Sequence, residues 1–66
     1  MKIRINGEQR EIDDGVSIAG LLDELKIRPG RVVVELNRNI VSRDLYSATA
    51  LNDGDALEIV HFVGGG

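Results

Sequence analysis

The sequence contains no cysteine and a single histidine, His61. These scarcities exclude disulfide bonds and thiolate chemistry, and they argue against a zinc site, whose ligands are mostly Cys and His. Aromatic residues are also rare, since Tyr46 and Phe62 stand alone and tryptophan is absent. The core must therefore be built from Val, Ile and Leu, which the hydrophobic fraction of 42% can supply. A chain of 66 residues makes one small domain with little room for a deep substrate pocket.

Long apolar runs and an excess of positive charge are missing as well. The longest aliphatic run, residues 32–34, is interrupted by Glu35, so we expect neither a signal peptide nor a membrane span. Eleven acidic against eight basic residues give a net charge of -3. This charge opposes binding to nucleic acid and to anionic membranes. With neither a signal peptide nor a membrane span, we expect a cytoplasmic protein. We also expect it to be a monomer when free.

The first half of the chain predicts two strands and a helix. Apolar residues alternate with polar ones from Met1 to Ile5, and the Asn6 and Gly7 pair is typical of a tight hairpin turn that leads into a second strand over residues 9–12. Ser17 can then cap a helix whose apolar side is Ile18, Leu21, Leu22 and Leu25. We expect Pro29 and Gly30 to end this helix. Gly20, which is costly inside a helix, is expected to mark a close approach to the sheet.

The second half predicts two more strands. Residues 32–37 alternate as a strand, for which residues 40–41 predict a short extension, and residues 42–51 lack a clear period. For that stretch we expect an irregular or single-turn helical segment held by Leu45 and Tyr46. The NDGD sequence at residues 52–55 predicts a turn before a last strand, ALEIVHFV.

The predicted order is strand, strand, helix, strand, irregular segment, strand. It favours an α+β domain over residues 1–63, a mixed sheet of four to five strands with one main helix packed on one face. Residues 64–66 are expected to form a flexible glycine tail. The in-phase apolar positions predict one core, made of Ile3, Ile5, Leu21, Leu25, Val34, Leu36, Leu57 and Ile59.

Two residues of the last strand point to a surface function. Val60 and Phe62 alternate with Leu57 and Ile59, so they face away from the predicted core. Together with Val33 on a neighbouring strand they would form an exposed apolar patch that docks partner proteins. The alternative is that a loop or the edge of the sheet covers them.

The printed chain ends in Gly64, Gly65 and Gly66 directly after this strand. One interpretation is that these glycines are simply a flexible chain end. Three extended residues also reach roughly 10 Å, and without Cβ atoms they can enter a narrow channel. No polar spacer separates the strand from the glycines, which favours a segment that enters a channel over a merely flexible end.

The ββαββ order, the NDGD turn, the strand EIVHFV and the glycines together resemble the ThiS family of sulfur-carrier proteins, which have a ubiquitin-like β-grasp fold. The resemblance implies that an E1-like enzyme of ThiF type uses ATP and Mg to adenylate the C-terminal carboxylate of Gly66. A sulfur donor such as a cysteine desulfurase would then convert it to a thiocarboxylate. The sulfur would pass to a thiazole synthase of ThiG type in thiamin biosynthesis. On this interpretation the protein is a carrier and not an enzyme, with no bound cofactor, no metal and no catalytic side chain.

Three alternatives stay open. The chain could carry sulfur for molybdopterin or another thiolation pathway, modify proteins as ubiquitin does, or act as a noncovalent interaction module. Arg38 and Arg43 are either solvated surface residues or contacts to an acidic partner site. His61 is assigned no catalytic role, because no nucleophile accompanies it in a motif.

Overall fold

The computed structural model describes residues 1–62, so Val63 and the glycine tail lie outside the described part of the chain. Within it the elements are β1 (Lys2–Ile5), β2 (Glu8–Glu11), α1 (Ile18–Glu24), β3 (Val32–Leu36), β4 (Asn39–Val41) and β5 (Ala56–His61). Single 3-10 turns occupy Pro29–Arg31 and Arg43–Leu45. The predicted order is thus present, and the expected extension at residues 40–41 is a strand of its own.

The strands form one five-stranded mixed sheet in the order β2-β1-β5-β3-β4. Strand β5 lies in the centre, parallel to β1 and antiparallel to β3. Each of these neighbours carries its own hairpin partner, β2 and β4 respectively. The last strand of the sequence is therefore the one that joins the two halves of the sheet.

The core lies between α1 and one face of the sheet. Most of the predicted core residues are buried, while Leu25 and Leu36 are only partly buried against it. Within residues 1–62 the buried apolar side chains are Ile3, Ile5, Ile18, Leu21, Leu22, Val32, Val34, Tyr46, Leu51, Leu57 and Ile59. In the segment between β4 and β5, Tyr46 is buried but Leu45 is 53% exposed. The expectation that both would hold this segment is wrong for Leu45.

Helix α1 begins as predicted and ends earlier than predicted. The Ser17 hydroxyl accepts a hydrogen bond of 3.0 Å from the Gly20 N–H, which satisfies one of the free donors of the first turn. The helix ends at Glu24 with Leu25 as its C-cap, and Lys26 has a left-handed φ of 58°. Pro29 therefore starts the next 3-10 turn and does not end the helix.

Gly20 does not mark a close approach of helix and sheet. The nearest atoms to a Cβ built at this position are Ser17 Oγ and Val16 Cγ1, both at 3.4 Å. Both belong to the segment that leads into the helix. The expectation of a helix–sheet contact at Gly20 is thus wrong.

The predicted turn at residues 52–55 is confirmed. The Asp55 N–H donates to the Asn52 carbonyl at 3.0 Å, and the Asp55 side chain accepts from the Asn52 N–H at 2.8 Å. Gly54 supplies the left-handed φ of 87° that the turn requires. Among residues 1–62, no helix has the length and apolar character needed to cross a bilayer.

Candidate functional site

The face of the sheet opposite α1 is open, and the end of β5 gives it an apolar character. Side chains alternate across a strand, so Leu57 and Ile59 enter the core while Val60 points to the other side. Val60 is 54% exposed and Phe62, just after the strand, is 62% exposed. The sequence-based expectation that both face outward is confirmed.

Val33 lies beside these residues because of the strand register. It is directly opposite Val60 in the antiparallel β3–β5 pair, and residues directly opposite share a face. Val33 is half-buried, since it lies in the middle of the sheet. It thus forms the base of the patch, whereas Val60 and Phe62 form its projecting part.

Ile40 is a member of this surface that sequence reasoning missed. It lies on the edge strand β4, where it is 72% exposed. With Val33 and Phe62 it lines one depression at the end of the β3–β4 pair, which also reaches the core residues Val32 and Tyr46. We call Val33, Ile40, Val60 and Phe62 the outer patch. No local sequence signal reveals Ile40, because its exposure follows from the position of β4 at the edge of the sheet.

The two arginines with undecided roles lie in different places. Arg43 lines the depression, and its Nη1 atom lies 2.9 Å from where a Cβ would stand on Gly30. Arg38 occupies the β3–β4 turn beyond Leu36, which pairs with Leu57 at the start of β5. Arg43 therefore borders the outer patch, whereas Arg38 lies at the opposite end of the sheet from Phe62.

The outer patch adjoins the last described residue of the chain. The Phe62 N–H donates to the Arg31 carbonyl at 3.0 Å, so β5 stays attached to the β3 side up to this point. His61 is exposed and lies opposite Val32. The candidate sulfur site Gly66 and the neighbouring Gly64 and Gly65 lie outside the described residues.

A mixed five-stranded sheet with a central last strand, one helix on one face and an apolar patch on the other defines a β-grasp protein of the ubiquitin-like class. The chain belongs to the ThiS family, whose model matches residues 3–66. The crystal structure of the thiamine biosynthesis protein (ThiS) from Geobacter metallireducens is 36% identical, with a TM-score of 0.86 and full coverage of both chains. The predicted fold and the resemblance to this family are therefore confirmed.

Three relatives of known name differ widely in length. The sulfur carrier protein ThiS of Bacillus subtilis is 37% identical over 65 residues, which cover 97% of this chain and 98% of that protein. A thiazole synthase of Magnetococcus marinus is 46% identical over all 66 residues, but these cover only 20% of its length. A thiazole synthase of Paramagnetospirillum magneticum is 47% identical with the same coverage. The chain thus spans about a fifth of these two synthases and nearly all of the Bacillus protein.

Proposed function

We propose that this protein is a sulfur carrier for thiazole formation in thiamin biosynthesis. The observation that supports this most directly is the match along nearly the whole length of the Bacillus subtilis sulfur carrier. The Geobacter protein, with the same fold, is likewise named for thiamine biosynthesis. Molybdopterin synthesis or another thiolation pathway would use the same chemistry with different partners.

The proposed chemistry takes place on the carboxylate of Gly66 and requires that this carboxylate be free. A carboxylate is a poor electrophile, so sulfur can replace one of its oxygens only after activation. An E1-like enzyme of ThiF type would join the carboxylate to AMP from Mg-ATP and release pyrophosphate. The terminal sulfur of a persulfide on a donor such as a cysteine desulfurase would then attack the same carbon and displace AMP, which gives an acyl disulfide. A thiol would reduce this disulfide, releasing the thiocarboxylate and forming a new disulfide with the donor cysteine.

The side chains of this protein serve recognition in this scheme, and the partner enzymes supply the catalysis. Gly64 and Gly65 lack Cβ atoms, which suits entry of a peptide into a narrow channel. The outer patch is the proposed docking surface, because exposed apolar patches beside polar residues are typical of protein interfaces. Its position next to the end of β5 would bring the glycines to the partner's active site.

A thiazole synthase of ThiG type is the proposed recipient of the sulfur. In the Magnetococcus and Paramagnetospirillum proteins a region similar to this chain forms part of a polypeptide named thiazole synthase. Linking a carrier to its recipient raises the effective concentration of one for the other. This arrangement in the relatives supports a noncovalent pairing of the same two units here.

The proposal is tested by intact-mass spectrometry after incubation with a ThiF-type enzyme, Mg-ATP and a sulfur donor. We expect one oxygen to be exchanged for sulfur, and fragmentation should place it on Gly66. A variant with one alanine added after Gly66 should gain none, with its melting temperature measured as a control for folding. Sulfur on an internal residue, or equal loading of the extended variant, would contradict the mechanism. Conjugates with target lysines in an ATP-treated extract would instead favour a protein modifier.

A further inference from the structure

Two acidic residues of the open face lie directly opposite each other. Glu35 on β3 pairs with Glu58 on β5, two residues along the ladder from the Val33–Val60 pair. Because side chains on one face repeat every second residue, both carboxylates project on the same side as the outer patch. Ile40 is opposite Glu35 on its other side. The two glutamates therefore form an acidic row directly beside the apolar one.

This pairing is unfavourable in the free protein. Directly opposite residues have Cβ atoms about 5 Å apart, and like charges at that distance destabilise a sheet. Among the cross-strand partners of residues 1–62, no other pair has two charges of the same sign. At the β1–β2 edge, by contrast, Lys2 is directly opposite Glu11.

No cation of residues 1–62 forms an ion pair with either glutamate, including Arg4, which lies on the same face opposite Ala56 of β5. The ion pairs found in residues 1–62 join the Met1 amino group to Glu11 and Asp14, and none involves Glu35 or Glu58. Glu35 is moreover half-buried, so water screens it less than a fully exposed carboxylate. A cation placed between the two carboxylates would turn a repulsive arrangement into an attractive one.

We infer that the glutamate pair is a recognition element for a basic side chain, best an arginine, surrounded by an apolar surface of the thiazole synthase. A guanidinium carries several donors in one plane and can bind carboxylates through two parallel hydrogen bonds. Apolar neighbours of that arginine would cover Val33, Ile40 and Val60. This inference rests on the proposed function, and it adds the chemistry of the surface that the partner must present.

The inference predicts effects of opposite sign on stability and on binding. Replacing either carboxylate by an amide removes the repulsion, so the free protein should melt at the same or a higher temperature. The same change removes a charge-assisted hydrogen bond to the partner. Binding should therefore weaken, by roughly 10- to 100-fold for the double variant. A residue with a merely structural role would not produce this combination.

The experiment compares Glu35→Gln, Glu58→Gln and the double variant with Glu24→Gln, an exposed carboxylate at the end of α1 on the other side of the sheet. Binding to the thiazole synthase of the same organism is measured by surface plasmon resonance at low and high salt, alongside thermal unfolding. We expect weaker binding and a smaller salt dependence for the pair variants, and no change for Glu24→Gln.

Sulfur loading of the same samples distinguishes a failure of the glutamate inference from a failure of the proposed carrier function. If the wild-type protein gains sulfur and binds the synthase, but the pair variants bind as tightly as the Glu24 control, the glutamate inference is wrong and the carrier function stands. Weaker binding with clearly lowered stability would also overturn it, because the glutamates would then support the fold. If the wild-type protein neither gains sulfur nor binds, the proposed function and this inference fail together.

Discussion

The side-chain amide of Asn6 binds both backbone groups of Ile59. Its Oδ1 atom accepts from the Ile59 N–H at 2.7 Å, and its Nδ2 atom donates to the Ile59 carbonyl at 3.2 Å. The Asn6 N–H itself donates to the Leu57 carbonyl at 2.9 Å. Strand β1 then turns away, so the amide takes the place of the next residue in the parallel ladder. It thereby holds β5 in the sheet just before Val60 and the outer patch.

Replacing Asn6 by glycine should destabilise the fold by about 1–3 kcal/mol. Glycine accepts the left-handed φ of 51° at this position, so the change removes the amide without straining the turn. It leaves two backbone groups of Ile59 without partners, and unsatisfied groups of this kind cost about that amount. Urea unfolding measures the loss. Asn6→Asp keeps the acceptor but not the donor, so its stability should lie between that of the wild-type protein and that of the glycine variant. A glycine variant as stable as the wild-type protein would contradict this role of Asn6.

Leu22 in α1 and Leu25, the C-cap of this helix, should differ in their contribution to stability. Leu22 is fully buried, and replacing it by alanine should cost about 2–5 kcal/mol. Leu25 is only partly buried at the end of the helix, so its replacement should cost about 1–2 kcal/mol. Chemical denaturation of both variants checks the difference. Equal losses would show that the end of the helix is packed as tightly as its middle.

The turn between β3 and β4 should be improved by Arg38→Gly. Both hairpins use an asparagine with φ of 51°, followed by Gly7 at 83° in one and by Arg38 at 71° in the other. A left-handed conformation costs a residue with a side chain roughly 1–2 kcal/mol, and the greater flexibility of glycine offsets part of the gain. We expect a net stabilisation of about 0.5–1 kcal/mol, measured by thermal unfolding.

The reverse exchange in the other hairpin is the matched control. Gly7→Arg places a side chain at a φ of 83° with no neighbouring atom within 4 Å of its Cβ, so the change introduces backbone strain without a clash at the Cβ. Gly7→Arg should destabilise the protein by about as much as Arg38→Gly stabilises it. If Arg38→Gly lowers the melting temperature, the arginine side chain makes a stabilising contribution that exceeds the strain.

Local patterns in the sequence predicted the structural features that depend on residues close together in the chain. The alternation in β1 and β5, the Asn6 turn and the Ser17 cap each involve contacts within a few positions, and the structure confirms them. The outward direction of Val60 and Phe62 followed from the same alternation. The fold class followed from the order of the elements.

Features that depend on distant pairing were not predictable in this way. The role of Ile40 follows from β4 being an edge strand, and the Glu35–Glu58 contact follows from a register between residues far apart in the sequence. The early end of α1 has a local cause, since Lys26 adopts a left-handed φ that its residue type does not announce. Hydrophobic periodicity carries no information about the order of the strands, their register or the φ of Lys26.

Phe62→Asp should impair docking to the adenylating enzyme while leaving the fold intact. Phe62 is mostly exposed and its main-chain bond to Arg31 does not depend on the side chain. A charge in the centre of an apolar contact costs the desolvation of that charge and the lost aromatic burial. We expect the KM for the carrier in pyrophosphate release to rise on the order of 30-fold, since a dominant interface residue contributes about 2 kcal/mol.

Two further variants show whether a rise in the KM of Phe62→Asp reflects docking through the outer patch. Leu45→Asp makes the same kind of substitution at a residue that is 53% exposed but does not line the depression, so it should leave the KM unchanged. Ile40→Asp alters the outer patch on β4, far along the chain from the glycine tail, and should raise the KM as Phe62→Asp does. If Phe62→Asp acts and Ile40→Asp does not, Phe62 serves the entry of the tail and the outer patch is not the docking surface. If all three variants behave as wild type, the enzyme recognises another part of the protein.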